Sequence, residues 1–405
     1  MTEFPKADYE HVSKKILIIA GTRPEVIKLA PVYLAMKKAP LWEPLFVSTG
    51  QHRQMLDQAC AVFGIKPEID LNLMQPGQTL PELTSRVLLS VTRVLEETKP
   101  DAILVQGDTT TVLGSAIAAF YQKISVGHVE AGLRTYNYQA PWPEEMNRRL
   151  TDPISRWCFA PTEASRQNLL AERIPAESVF VTGNTVIDAL LYVRDKTRAE
   201  KSRAELVAEC GIDTAFAAQF IPGNLDAAGR PVGKQRLVLV TGHRRESFGS
   251  GFESICQSIR QLVDRYPEVG VVYPVHLNPN VQEPVNRLLG NHPRIQLIKP
   301  QSYEPFVWLM GQTYFILSDS GGVQEEAPSL GKPVLVMRET TERPEGVEAG
   351  TCRLVGTDPE RILREAALLL EDENAYSQRS QLKNPYGDGQ ASERILQVLA
   401  ESLNH

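Results

Sequence analysis

Carboxylates gather in the run VEAGLRTYNYQAPWPEEMNRR, residues 129 to 149, which holds Glu130, Glu144 and Glu145 beside Arg134 and Trp142. Carboxyl groups sharing one site can divide acid and base duties, because burial or a like-charged neighbour raises the pKa of one of them. Asp108, in QGDTTT (106 to 111), is a further candidate. Each also has an ordinary structural explanation. Asp108 ahead of a threonine run could simply cap the next helix. Glu144 and Glu145 would complement the dipole at the start of a helix over MNRRLTDPISR, and Glu145 reads as a solvated helix start. The prolines of APWP keep that helix from beginning before residue 144.

Anion binding is the second chemistry on offer. In SDSGGVQEEAPSLGKPVL (318 to 335), Ser320, Gly321 and Gly322 would present backbone N–H groups and a hydroxyl at a helix start, a phosphate site without a lysine loop, and Glu326 one turn on could accept from a ribose diol. GTRPE (21 to 25) places Arg23 at another helix start, with Gly21 for a tight turn and Pro24 in the first helical turn. TGHRRESFG (241 to 249) sets His243, two arginines and a glutamate at a strand exit, an unusual place for a core histidine. QHRQ (51 to 54) and YPVHLNP (273 to 279) each put a histidine among polar neighbours after a strand, as fitting for a loop as for a ligand. Walker and GxGxxG loops are absent, as are HExxH, DxDxDG and other metal-ligand spacings. Neither a metal nor a cofactor is called for.

These residues need elements to hold them. Short β-branched runs, each followed by a turn and a helical period, occur at 16 to 20, 45 to 49, 102 to 106, 124 to 129 and 178 to 183, and again at 237 to 242, 270 to 275, 295 to 298, 314 to 320 and 333 to 337. Such alternation predicts βαβ units and parallel sheets buried on both faces. The fold class is therefore α/β, in two halves, the expected number of domains for 405 residues. The Gly- and Pro-containing stretch 221 to 235 reads as a loop entering the second domain. In open α/β sheets, ligands bind outside the carboxyl ends of the strands, where every candidate above lies.

Net charge is −6 with scattered Lys and Arg, so no nucleic-acid footprint is present. The five cysteines are widely spaced and read as buried thiols of a reducing, cytoplasmic compartment. No run resembles a signal peptide or a membrane span.

Taken together and in order, GTRPE, GDTTT, GHVEAGLRT, PWPEE, TGHRRESFG and SDSGGVQEEAPSLGKPVL resemble the bacterial non-hydrolysing UDP-N-acetylglucosamine 2-epimerases, a likeness that extends over residues 15 to 400. The resemblance implies a GT-B fold, two Rossmann-like domains with the active site in the cleft between them. Residues 1 to 183 would form the first, rejoined by the C-terminal helix within 386 to 405, and residues 184 to 385 the second. It implies reversible inversion at C2 of a UDP-sugar, with Asp108, Glu130, Glu144 and His243 catalytic. Arg23, Lys28, Ser320, Gly321 and Gly322 would hold the substrate, with Glu326 at the ribose and Phe306 near the uracil. Gln51, Gln54 and His276 match an activator site found in some members. A homodimer is also implied. A GT-B glycosyltransferase, a hydrolysing epimerase releasing N-acetylmannosamine, or a sugar-nucleotide sensor without turnover would share much of this pattern.

Overall fold

A computed structural model describes residues 13–50, 53–75, 77–223 and 232–403. Strands form where aliphatic residues run together, and they do so twice. The first sheet contains β1 (Lys14–Ala20), β2 (Trp42–Ser48), β3 (Ile69–Asp70), β4 (Ala102–Gln106), β5 (Ser125–Val129), β6 (Trp157–Ala160) and β7 (Val179–Val181), in the order β3-β2-β1-β4-β5-β6-β7. The second contains β8 (Arg236–Thr241), β9 (Val269–Pro274), β10 (Ile295–Ile298), β11 (Phe315–Ser318), β12 (Val334–Val336) and β13 (Cys352–Leu354), in the order β10-β9-β8-β11-β12-β13. Every pairing is parallel, with Ile18 opposite Leu104 and Ile316 opposite Leu239. Ile16 to Ile19 and Leu237 to Val240 are fully buried, as sheets covered by helices on both faces require.

Each order is the doubly wound one. After β1 the chain works outward to β3, then crosses back to β4 on the other side. After β8 it reaches β10 and crosses to β11. The loops following β1 and β4, and those following β8 and β11, therefore leave in opposite directions and open a crevice at the carboxyl edge of each sheet. GTRPE and GDTTT flank the first crevice; TGHRR and SDSGG flank the second.

The chain divides at Ala189, inside the helix Thr185–Glu200, and again before Gly389, so that the first unit regains the C-terminal helix Ala391–Leu403 and the second runs Leu190–Asp388. The sequence reading placed the first division after residue 183 and took 221 to 235 as the way into the second domain. That loop instead lies within the second unit, whose helices Arg203–Glu209 and Thr214–Phe220 precede it. Packing explains why: Phe220 fills the place that a side chain at Gly270 of β9 would need, its ring only 2.4 Å from a Cβ built there. Within the first unit, Ala391–Leu403 packs on the helix Arg23–Lys37. Its first N–H groups are received by buried Asp188, from Ser392 at 2.8 Å and Ala391 at 3.3 Å.

Asp188→Ala leaves those donors without their carboxylate and should cost about 1–2 kcal/mol at the helix start. Amide exchange across Ala391–Leu403 is expected to accelerate while the strands of the second unit keep their protection. Unchanged exchange in the helix contradicts the capping role.

Candidate functional site

In the first unit the turn after β1 is fixed from within. Glu25, almost fully buried, reaches back to accept the N–H groups of Gly21 (2.7 Å) and Thr22 (2.6 Å), and takes the hydroxyl of Thr109 at 2.5 Å. Burial raises the Glu25 pKa against these hydrogen bonds. One carboxyl thus ties the loop after β1 to the loop after β4. Gly21 is required for a reason other than a tight turn: a Cβ there would lie 2.4 Å from the hydroxyls of both Thr49 and Thr111, which bond to each other at 3.0 Å. Arg23, at the first position of the helix, is exposed.

Thr109, not Asp108, caps the helix Thr110–Tyr121, by accepting from Val112 N. Asp108 is therefore left for other work. Its carboxylate is held by Arg148 and its carbonyl by Asn147 Nδ2 at 2.8 Å, both from the helix Glu144–Thr151. Glu130 leaves the adjacent strand at the same edge with φ +65°, buried between Lys28, whose ammonium pairs with Oε2, and Gln106 Nε2 at 2.7 Å. Lys28, expected to hold substrate, is thus the counter-ion of Glu130. Two carboxylates and two fixed cations converge where β4 and β5 end, and Glu144 opens the helix that holds Asp108, itself half-buried.

Glu145 corrects the sequence reading. It is fully buried, and accepts the N–H groups of Thr135 (3.0 Å) and Tyr136 (2.9 Å) while Arg148 lies 3.4 Å away. It pins the loop between Glu130 and Glu144. Behind it, Arg134 bonds Asp152 at 2.6 Å and Glu172 at 2.9 Å, and Asp152 lies 2.6 Å from His128. Burial raises the Asp152 pKa, but His128 and Arg134 together bring it below the ordinary carboxylate value.

The second unit gathers the remaining candidates at its own crevice. Asp319, just after β11 and 2% exposed, accepts the N–H groups of His243 (2.7 Å) and Arg244 (2.8 Å), with its other oxygen 3.2 Å from His243 Nδ1. His243 stacks on His276, ring centres 5.5 Å apart, so a residue expected at a separate activator site lies against the one expected at the diphosphate. His276 Nδ1 accepts from Asn278 N at 3.1 Å, which fixes its tautomer. Ser320 precedes the helix Gly321–Glu326, and Ser320 N donates to Ser318 Oγ at 3.0 Å. Protein atoms come no nearer than 4.0 Å to a Cβ built on Gly321 and 3.7 Å to one on Gly322, so these glycines leave space in front of the helix. Tyr303 donates to Glu326 at 2.6 Å, and burial first, then the carboxylate itself, drives the phenol pKa far up and keeps it a donor. Phe306 is half-buried on the same helix, Tyr303–Gln312.

Gln54 is exposed on the helix Arg53–Val62, and Gln51 falls outside the described residues. The five cysteines are free and buried, with burial pushing the thiols of Cys60, Cys210, Cys256 and Cys352 up to about 12. Among the described residues no cluster suited to a metal ion occurs, and no helix is long and apolar enough to cross a membrane. Sequence reasoning missed Glu25, Asn147, Arg148, Asp319 and Tyr303. Asp319 carried a signal, as an acid leaving a strand between two serines, and so did Glu25, as the fourth residue of the capping-box pattern that Thr22 opens.

Uncovered N–H groups at a helix start suit a phosphate, and cation-held carboxylates at a strand end suit proton transfer. An α/β enzyme acting on a nucleotide-linked substrate is the class that uses both on doubly wound sheets. Comparison with known proteins narrows it. The family model described as UDP-N-acetylglucosamine 2-epimerase matches residues 34–400. The UDP-N-acetylglucosamine 2-epimerases of Salmonella typhimurium and Escherichia coli are each 55% identical over 386 residues, 95% of this chain and 98% of theirs. A crystal structure of the Neisseria meningitidis UDP-GlcNAc 2-epimerase bound to UDP-GlcNAc superposes with a TM-score of 0.81 at 48% identity, covering 96% of this chain and all of that one (100%). This chain belongs to the UDP-N-acetylglucosamine 2-epimerase family.

Asp319 supplies a pH test. Burial raises its pKa, but the His243 ring and the two backbone N–H groups outweigh that and set it below its ordinary 3.8. A depressed folded pKa stabilises the fold above the unfolded value and loses that contribution as pH falls through the folded one. Asp319→Asn should therefore unfold at lower urea than wild type near pH 7, with the gap closing below about pH 4. A gap that is constant with pH refutes the ion-pair account.

Proposed function

We propose that this chain interconverts UDP-N-acetylglucosamine and UDP-N-acetylmannosamine by eliminating UDP to a 2-acetamidoglucal and adding it back. The observation that carries the reading is the pairing of Asp108 with Arg148 and of Glu130 with Lys28 at neighbouring strand ends. The C2 hydrogen is not next to a carbonyl, so direct abstraction is hard. Breaking the C1–O bond first sends that electron pair to the β-phosphate and leaves a cationic sugar, whose C2 hydrogen is acidic. A carboxylate takes the proton, and the C2–H electrons become the C1=C2 bond. In return, C2 is protonated from the opposite face while a β-phosphate oxygen adds to C1. One acid/base is needed on each face, and Asp108, Glu130 and Glu144 are the groups available.

The second unit is assigned the nucleotide. Ser320, Gly321, Gly322 and His243 would receive the diphosphate as charge develops on it, with Arg23 supplying a further cation. Glu326, oriented by Tyr303, would bind the ribose and Phe306 the uracil. Lys28, paired with Glu130, remains a proposed substrate contact. Gln51, Gln54 and His276 remain a proposed activator site, and a homodimer the proposed assembly.

Incubation with UDP-N-acetylglucosamine alone in D2O should place deuterium at C2 of both epimers; turnover without it overturns the route, and a requirement for a sugar acceptor overturns the epimerase reading. Asp108→Asn and Glu130→Gln should each lower turnover by at least ~100-fold while UDP affinity, read by calorimetry, stays near wild type. Undiminished turnover in both discards the assignment.

A further inference from the structure

His128 sits on β5 with its side chain fully buried. Its Nδ1 lies 2.6 Å from Asp152 Oδ1 and its Nε2 lies 2.7 Å from the carbonyl oxygen of Gly107. Both partners are acceptors. The other Asp152 oxygen already receives an N–H of Arg134 at 2.6 Å, so the carboxyl has reason to stay ionised, and a backbone carbonyl carries no proton. The ring is thus held at both nitrogens, and Asp152 is braced in turn through Arg134, Glu172 and Arg149.

Gly107 immediately precedes Asp108. Its φ is +81° and nothing lies within 4 Å of a Cβ built on it, so the residue serves a backbone conformation and does not make room for a neighbour. Three successive peptides are gripped here: Gly107 N donates to Val129 O at 3.1 Å, Gly107 O lies against His128 Nε2, and Asp108 O receives Asn147 at 2.8 Å. We propose that His128, held by Asp152, is the positioning residue of Asp108, fixing the carbonyl of the Gly107–Asp108 peptide. The groups facing the ring are Asp152 with Arg134 behind it, Cys158 opposite on β6 and apolar Val105 opposite on β4. This role rests on the reading of Asp108 as an acid/base group.

His128→Ala, which leaves the Gly107 carbonyl without the ring, should lower kcat by roughly 10- to 100-fold at unchanged KM for UDP-N-acetylglucosamine, and His128→Gln, which can keep one donor for Gly107, should recover part of that loss. Wild-type kcat in His128→Ala, or a loss that appears in KM alone, overturns the positioning role. If wild-type protein has no epimerase activity, the proposed function fails instead, and amide exchange at Gly107 and Asp108 still tests the grip: exchange unaltered in His128→Ala overturns it.

Discussion

Carboxylates at the ligand edge of the first sheet are matched by cations that the fold itself supplies. Glu130 has Lys28, Asp108 has Arg148 and Asp152 has Arg134. A buried carboxylate without such a partner would take up a proton instead of tolerating the loss of water. The scattered lysines and arginines of an acidic chain thus include a small set that the topology brings to one edge.

The doubly wound order does that bringing together. Because β1 and β4 are neighbours while the chain leaves them in opposite directions, the helix after β1 can offer Lys28 to a residue that ends β5, and the loop after β4 can be gripped by the helix Glu144–Thr151. Glu25 joins the first two loops through Thr109, so the crevice is braced by side chains that take no part in the proposed chemistry. The second sheet repeats the device, with Asp319 joining the ends of β8 and β11 through the backbone of His243 and Arg244.

Much of this was legible in the residues. The ten aliphatic runs all became strands, since a β-branched run bounded by turns has few other uses in a buried sheet. β3, β6 and β13 escaped notice because they are two to four residues long; β3 and β13 each end a sheet, and β6 lies next to the end of one. The strand-end residues stood out by type, but their partners did not. Whether Asp108 or Thr109 capped the following helix depended on one hydrogen bond. Glu145 differs from Glu144 only in helical phase, which turns one into the buried loop and leaves the other half-exposed. Lys28, Arg148 and Tyr303 lie far along the chain from the carboxylates they hold, and sequence spacing has no access to that.

The central claim is that the carboxylates gathered at the first sheet serve both faces of C2 through an unsaturated intermediate. Supplying 2-acetamidoglucal and UDP to the protein in D2O and resolving the products tests it directly. The account predicts that both UDP-N-acetylglucosamine and UDP-N-acetylmannosamine form, each with deuterium at C2. Formation of neither, while the same preparation epimerises UDP-N-acetylglucosamine, would contradict it.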